Sequence, residues 1–271
     1  MPVKRYTDQM DRIVEIDFPP RSIISLVPSQ TELLYYLGLR EEVIGITKFC
    51  VHPEEWYNEK TKIGGTKNIN FEKIELLKPD LIIGNKEENE QEQITSLSKT
   101  FPVWMSDIEN ITQAVECIRR LGEITGKEYR AKDLIQEINI KKEKLDLKIK
   151  NVKPKNAVYL IWNEPIMTVS KNTFIHHMME VAGMKNVFEN HTQRYPITSI
   201  SEIKDKKPDL ILLSSEPYPF KEKHIHQFKK YFPDSHILVV DGEMFSWYGS
   251  RMLHAFEYFE MLHHEIEKEL M

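Results

Sequence analysis

No apolar run in this 271-residue sequence reaches the roughly 20 residues a helix needs to cross a bilayer, so a membrane-spanning helix is not expected. The opening stretch, MPVKRYTDQMDRIVEIDFPP, has neither the apolar core nor the small-residue cleavage site of a secretory leader. No Cys lies near the N-terminus to carry a lipid. As written, the chain is expected to stay in the cytoplasm, with periplasm or cell envelope as the alternative if an export segment is missing. Cysteine is scarce: Cys50 and Cys117 cannot build a metal cage by themselves, and so few thiols fit a reducing compartment. The formal net charge is −5, without the basic excess of a nucleic-acid binder. There is no phosphate-binding loop, no GxGxxG after the first strand and no GxSxG. Ten histidines are present, yet no pair carries a zinc pattern with further ligands nearby.

What is present is organised around one stretch, Gly126 to Pro154. Leu134, Ile135, Ile138, Leu145, Ile149 and Val152 recur at helical spacing among charges, and neither Gly nor Pro interrupts Lys127 to Lys153. At about 1.5 Å per residue this predicts a rod of roughly 35–40 Å. Similar sequence lies on both sides of it. KPDLIIGNKE runs from Lys78 to Glu87 and KPDLILLSSE from Lys207 to Glu216, each after a helical stretch. Chance remains an alternative, since Pro-Asp before an apolar strand is common in α/β proteins. The repeat favours two α/β lobes with parallel sheets bridged by a single long helix: residues 1–126, 127–153 and 154–271.

In order, Ser22–Val27 reads as the first strand, and Ser29-Gln30-Thr31-Glu32 as a capping box opening a helix that stops at Gly38. Val43–Ile46, Leu81–Gly84, Phe101–Trp104, Ala157–Trp162, Leu210–Leu213 and Ile237–Val240 read as strands, with helical stretches between most of them. Ser199-Ile200-Ser201-Glu202 repeats the capping signal, and Ser250–Leu270 closes the chain as an amphipathic helix.

In doubly wound sheets, ligands sit beyond the C-terminal ends of the strands. Those ends deliver Phe49, Cys50 and His52, then Glu87, Trp104, Trp162, the SSEPYPF segment with Tyr218, and DGEMFSWYGSR with Glu243, Trp247, Tyr248 and Arg251. The KIGGTKN segment, with its paired glycines, adds Lys67 and Asn68. Aromatics converging from two lobes suit a large flat ligand, because rings give stacking area at little entropic cost. The alternative for Trp104 and Trp162 is that each caps a lobe's core. His52 and His176 are the better histidine candidates, against ordinary hydrogen-bonded roles. His224 and His226 lie in a Lys-rich surface stretch. Cys50 reads either as an axial ligand to a bound metal centre or as a buried inert thiol. A Cys50–His52 nucleophile pair lacks a third orienting group.

With these residues in place, the chain resembles the class III substrate-binding proteins, which hold vitamin B12, haem and iron–siderophores for ABC importers. It is most similar to the cobalamin-binding, helical-backbone metal-receptor branch. KFCVHP, GGTKN, NKEEN, SSEPYPF and DGEMFSWYGSR together carry that likeness. The resemblance implies a non-catalytic receptor, a ligand in a cleft and small opening motions. No intrinsic cofactor is implied, only a bound corrinoid, haem or iron chelate as ligand. It places Phe49 where a ring stacks on the ligand and Glu243 where an acid lies near it. Thr66 stands where the cobalamin binder has Trp. Glu87 and Glu216, in register in the two repeats, match the carboxylates that meet permease arginines; both could equally be solvated surface charges. A monomer is expected. The alternative functions are a cytoplasmic carrier or sensor without a permease, and an enzyme using Cys50 and His52.

Overall fold

The structure, a computed structural model, describes residues 2–270, with side chains as far as Lys268. Strands β1 (Val3–Thr7) and β2 (Ile13–Asp17) pair antiparallel as a separate hairpin. The sequence-based expectation contains no strand here, although IVEID alternates between exposed and buried positions as a half-buried strand should. Asp8, only 2% exposed, holds the hairpin turn. Its carboxylate accepts from Met10 N, Arg12 N and Arg12 Nε at 2.8–2.9 Å, and from Met105 N at 3.3 Å.

There follow β3 (Ile23–Ser25), α1 (Pro28–Tyr36), β4 (Val43–Ile46), α2 (Glu54–Glu59), β5 (Thr61–Lys62) and α3 (Phe71–Leu77). Next come β6 (Leu81–Asn85), α4 (Gln91–Leu97), β7 (Val103–Ser106) and α5 (Ile111–Thr125). The five strands after the hairpin form one parallel sheet, ordered β5-β4-β3-β6-β7. Ile24, Leu26, Ile63, Ile74, Ile82 and Val103 supply part of its core. The predicted capping box at Ser29 does not form. Pro28 already occupies the first helical turn, so the N-cap falls on Val27, and Ser29 and Glu32 lie inside the helix.

Helix α6 (Glu128–Ile149) is the predicted rod, 22 residues and so about 33 Å long. It ends before Val152, whose N–H donates to Ile149 O in a closing turn. The chain divides into two compact units, and the division falls inside this helix, between Glu137 and Ile138. Tyr248–Arg251 belongs to the first unit although its neighbours in sequence belong to the second.

The second unit contains β8 (Lys155–Trp162), β9 (Met167–Thr168), α7 (Phe174–Val181), β10 (Met184–Asn186) and α8 (Ile200–Lys206). After these come β11 (Leu210–Ser214), α9 (Glu222–Lys229), β12 (His236–Val240), α10 (Gly242–Ser246) and α11 (Met252–Leu270). The strand order is β10-β8-β11-β12, all parallel, with β9 antiparallel on β8. Ser199 caps α8 by accepting from Glu202 N at 3.2 Å, while the Glu202 carboxylate accepts from Thr198 Oγ1 instead of closing the box. No helix among the described residues is long and apolar enough to cross a membrane.

The two KPDLI segments do the same structural work. Lys78 and Lys207 both end a helix in the left-handed region, at φ 46° and 48°. Asp80 then accepts from Arg21 N and Ser22 N, and Asp209 from Asn156 N at 2.8 Å, each pinning the start of the neighbouring strand. Each repeat therefore sets the register of a central strand, β6 against β3 and β11 against β8.

Candidate functional site

In each sheet the chain winds outward in one direction and then returns to wind in the other. Connections leaving β3 and β6 therefore diverge, as do those leaving β8 and β11, and such divergence leaves a crevice at the C-terminal strand ends. In the first unit that edge is assembled from three loops. Lys48 N donates to Gly64 O at 2.8 Å, which brings the segment after β4 against the GGTKN loop. Lys67 Nζ donates to Glu87 O at 2.6 Å, and Asn89 Nδ2 to Thr66 O at 3.0 Å, tying that loop to the one after β6. Asn85 Oδ1 accepts from Glu87 N at 2.8 Å and so fixes the turn carrying Glu87. Asn68 contributes its carbonyl, which accepts from Gly65 N at 2.8 Å.

Phe49 is 51% exposed and lies over Gly65, where an added Cβ would come within 3.1 Å of its ring. Gly65 lets the ring settle on bare backbone and leaves it open to solvent. Phe49, Lys67, Asn68 and Glu87 are thus brought together. Cys50 and Trp104 are not part of this surface. Cys50 is fully buried, its thiol between Thr31 Oγ1 at 3.0 Å and Thr47 Oγ1 at 3.1 Å, and burial raises its pKa. A thiol held protonated and shut from solvent presents no ligand to a metal and no thiolate to a substrate. Trp104 is fully buried within β7, opposite Ile83. Tyr248 is 6% exposed, its hydroxyl 3.5 Å from Ser106 Oγ in a buried network with Gln30 and Asn85. Arg251 forms an ion pair with Glu32. Burial turns Cys50, Trp104 and Tyr248 from expected ligand contacts into core groups; sequence position alone places a ring at a strand end without saying which way it packs. His52 follows Cys50 and is half-buried.

In the second unit, Trp162 ends β8 at 39% exposed, with its ring edge-on to Tyr218, centroids 5.5 Å apart. Tyr218 is itself braced by Phe220 and by His224, which is 5% exposed. His224 is therefore not the solvated surface residue its Lys-rich setting predicts. The signal lay in its place as the third residue of α9, where a side chain can reach back to the N-cap amide. Trp247 is 7% exposed rather than open to a ligand, because its indole Nε1 donates to Glu216 Oε1 at 2.9 Å. Ser246 Oγ donates to the same oxygen at 2.8 Å. Glu243 is the second residue of α10 and half-buried, its N–H donating to the N-cap Asp241 Oδ1. His176 lies apart on α7, near Asn186 and Glu180. Among the described residues, no group of three or more His, Cys, Asp or Glu could hold a metal ion.

Comparison with known proteins places this geometry. The sequence pattern of the periplasmic binding protein family matches residues 23–235. An uncharacterized ABC transporter substrate-binding lipoprotein of Bacillus subtilis, YvrC, is 28% identical over 214 residues, covering 76% of this chain and 67% of that protein. The vitamin B12-binding protein of Photorhabdus laumondii is 27% identical over 196 residues, 72% of this chain and 71% of its own. The structure of the periplasmic vitamin B12 binding protein of Vibrio cholerae superposes with a TM-score of 0.79 at 21% identity, covering 91% of this chain and 99% of that one. These relatives overturn the expected cytoplasmic location: one is a lipoprotein and one is periplasmic. With its two doubly wound units, a single long helix running through both, and the family pattern spanning both, the chain belongs to the periplasmic binding protein family, in its class III, helical-backbone branch.

Proposed function

We propose that this protein is the receptor of an ABC-type importer, holding a metal chelate such as a corrinoid, haem or iron–siderophore, and that it performs no catalysis. The carrying observation is the exposed ring surface at the C-terminal strand edge of each unit, Phe49 over Gly65 and Trp162 beside Tyr218. Open aromatic faces, with Lys67 and Glu87 beside Phe49 in the first unit and Tyr218 beside Trp162 in the second, suit a large flat ligand with a polar periphery. The vitamin B12 ligand of the relatives fits that description. Glu87 and Glu216 are carried as the docking pair for permease arginines, Glu216 doing so with one carboxylate oxygen already engaged by Ser246 and Trp247. Titration with cyanocobalamin and with haemin, read by absorbance and by Trp fluorescence, tests the ligand class. Saturable one-to-one binding of either chelate is expected. Phe49→Ala or Trp162→Ala should weaken it by about 1–3 kcal/mol, the range for losing an aromatic anchor. Failure of both chelates, and of ferrichrome as an iron–siderophore, to bind the parent protein rejects the reading.

A further inference from the structure

Resting on that reading, we infer that Tyr218 is a one-way hydrogen-bond donor to the ligand's rim, set in that polarity by His224, and that the site selects chelates carrying carbonyl or carboxylate oxygens there. The argument begins at the backbone. Lys221 N lies 2.8 Å from His224 Nδ1. A backbone N–H can only donate, so Nδ1 must be the lone-pair nitrogen, and the 3.2 Å approach of Lys221 O to the same atom cannot also be a hydrogen bond. In the neutral ring the proton then sits on Nε2. That nitrogen lies 3.4 Å from Tyr218 Oη and donates to it. Asn163 Nδ2 donates to the same oxygen from 3.5 Å. The phenol oxygen thus receives two donors, and its own proton remains for a third partner.

Place and surroundings point that proton at the ligand edge. Asn163 follows β8 and Tyr218 follows β11, the adjacent strands whose connections diverge. Asn163 is 8% and His224 5% exposed, so both hold Tyr218 from the protein side, while Tyr218 itself is half-buried. The open Trp162 ring adjoins it. A flat ligand resting on Trp162 would bring its rim to the Tyr218 hydroxyl. A rim carboxamide oxygen or carboxylate accepts that proton; a rim hydroxyl or amine offered as a donor finds the oxygen already occupied and is disfavoured. His224 acts here as a positioning residue, through Tyr218.

The test takes whichever of cyanocobalamin, haemin and ferrichrome the parent protein binds and compares Tyr218→Phe and His224→Leu with it. Tyr218→Phe keeps the ring and loses the donor, and should weaken binding about tenfold. His224→Leu should approach the same loss, provided circular dichroism shows it folded. Nitrogen-15 spectra of the histidines in the parent protein should find His224 as the Nε2–H tautomer, a signature that a merely space-filling His would not be required to show. An Nδ1–H tautomer, or Tyr218→Phe binding as tightly as the parent, overturns the inference and leaves the ligand class standing. A parent protein that binds none of cyanocobalamin, haemin and ferrichrome overturns both.

Discussion

Glu87 and Glu216 stand at the same step of the two repeats, yet their side chains serve different ends. Glu87 lies on a turn fixed through its backbone, by Asn85 Oδ1 and Lys67 Nζ. The Glu216 carboxylate is a structural acceptor for Ser246 and Trp247. Removing a charged acceptor leaves both donors to find water, and hydrogen bonds to charged groups are worth about 1.5–3 kcal/mol each way. Glu216→Ala should therefore lower stability by roughly 2 kcal/mol in urea unfolding. An unchanged unfolding midpoint would show that the Trp247 indole does not depend on it. This difference was invisible in sequence, because register fixes where a side chain leaves the strand and not what waits for it. The same holds for Trp104, Trp247 and Tyr248. Their positions after strands were legible, but their burial depends on partners far along the chain, such as Ser106 for Tyr248 and Glu216 for Trp247. Phe49 was legible as a ring at a strand end, and its openness follows from Gly65, a neighbour sixteen residues on by number.

Elements were legible wherever a period or a turn residue set them. The strands β4, β6, β8, β11 and β12 and the helices α1, α6 and α11 fall close to their expected places, because apolar runs and helical spacing dominate there. The β1–β2 hairpin escaped because its strands are short and carry charges. It is held by the buried Val14 and Ile16 of β2 and by Asp8: Asp8 pairs with Arg12 at 2.7 Å and ties the turn to β7, which would otherwise be a bare sheet edge. Asp8→Ala removes a buried charged acceptor from a half-exposed Arg12 and from the turn amides and should cost about 1.5–3 kcal/mol by denaturant unfolding; a loss below about 1 kcal/mol would assign the anchoring to the rest of the hairpin. A second element carries a pH dependence. On α11, burial lowers the pKa of His263, a hydrogen bond with Ala182 opposing it, and its ring lies against Gly183. The unfolded chain takes up the proton near the ordinary value of 6.5 while the fold keeps the ring neutral. The unfolded state then binds more protons, so stability falls as pH drops below 6.5 and levels off below the folded pKa. His263→Leu should flatten the fall; parallel curves for parent and variant would place its origin elsewhere, with His177, lowered by burial in the same way, as the next residue to replace.

At the scale of the molecule, the feature the sequence announced most clearly is the long helix, because only a helix accommodates 22 residues of that periodicity without Gly or Pro. Its two halves belong to different units. Leu134 and Ile138 are fully buried and Leu145 is 2% exposed, so each half is bonded to its own unit by packing. Ionic pairs add to this in the second half, where Lys141 meets Glu257 at 2.9 Å. The helix is therefore one covalent and hydrogen-bonded connection between the two units. Ile138 stands at the division itself. A proline there removes an N–H directed at the Leu134 carbonyl and drives its ring into the preceding turn, at about 3 kcal/mol or more. The burial lost with the Ile side chain adds to that. Because each unit keeps its own sheet, the fold of each should survive while their cooperation weakens. Calorimetry of Ile138→Pro should show a broadened or split transition at lower temperature than the parent, and the chelate affinity should fall with it. A single sharp transition at the parent's temperature, with affinity intact, would mean that the helix joins the units without coupling them.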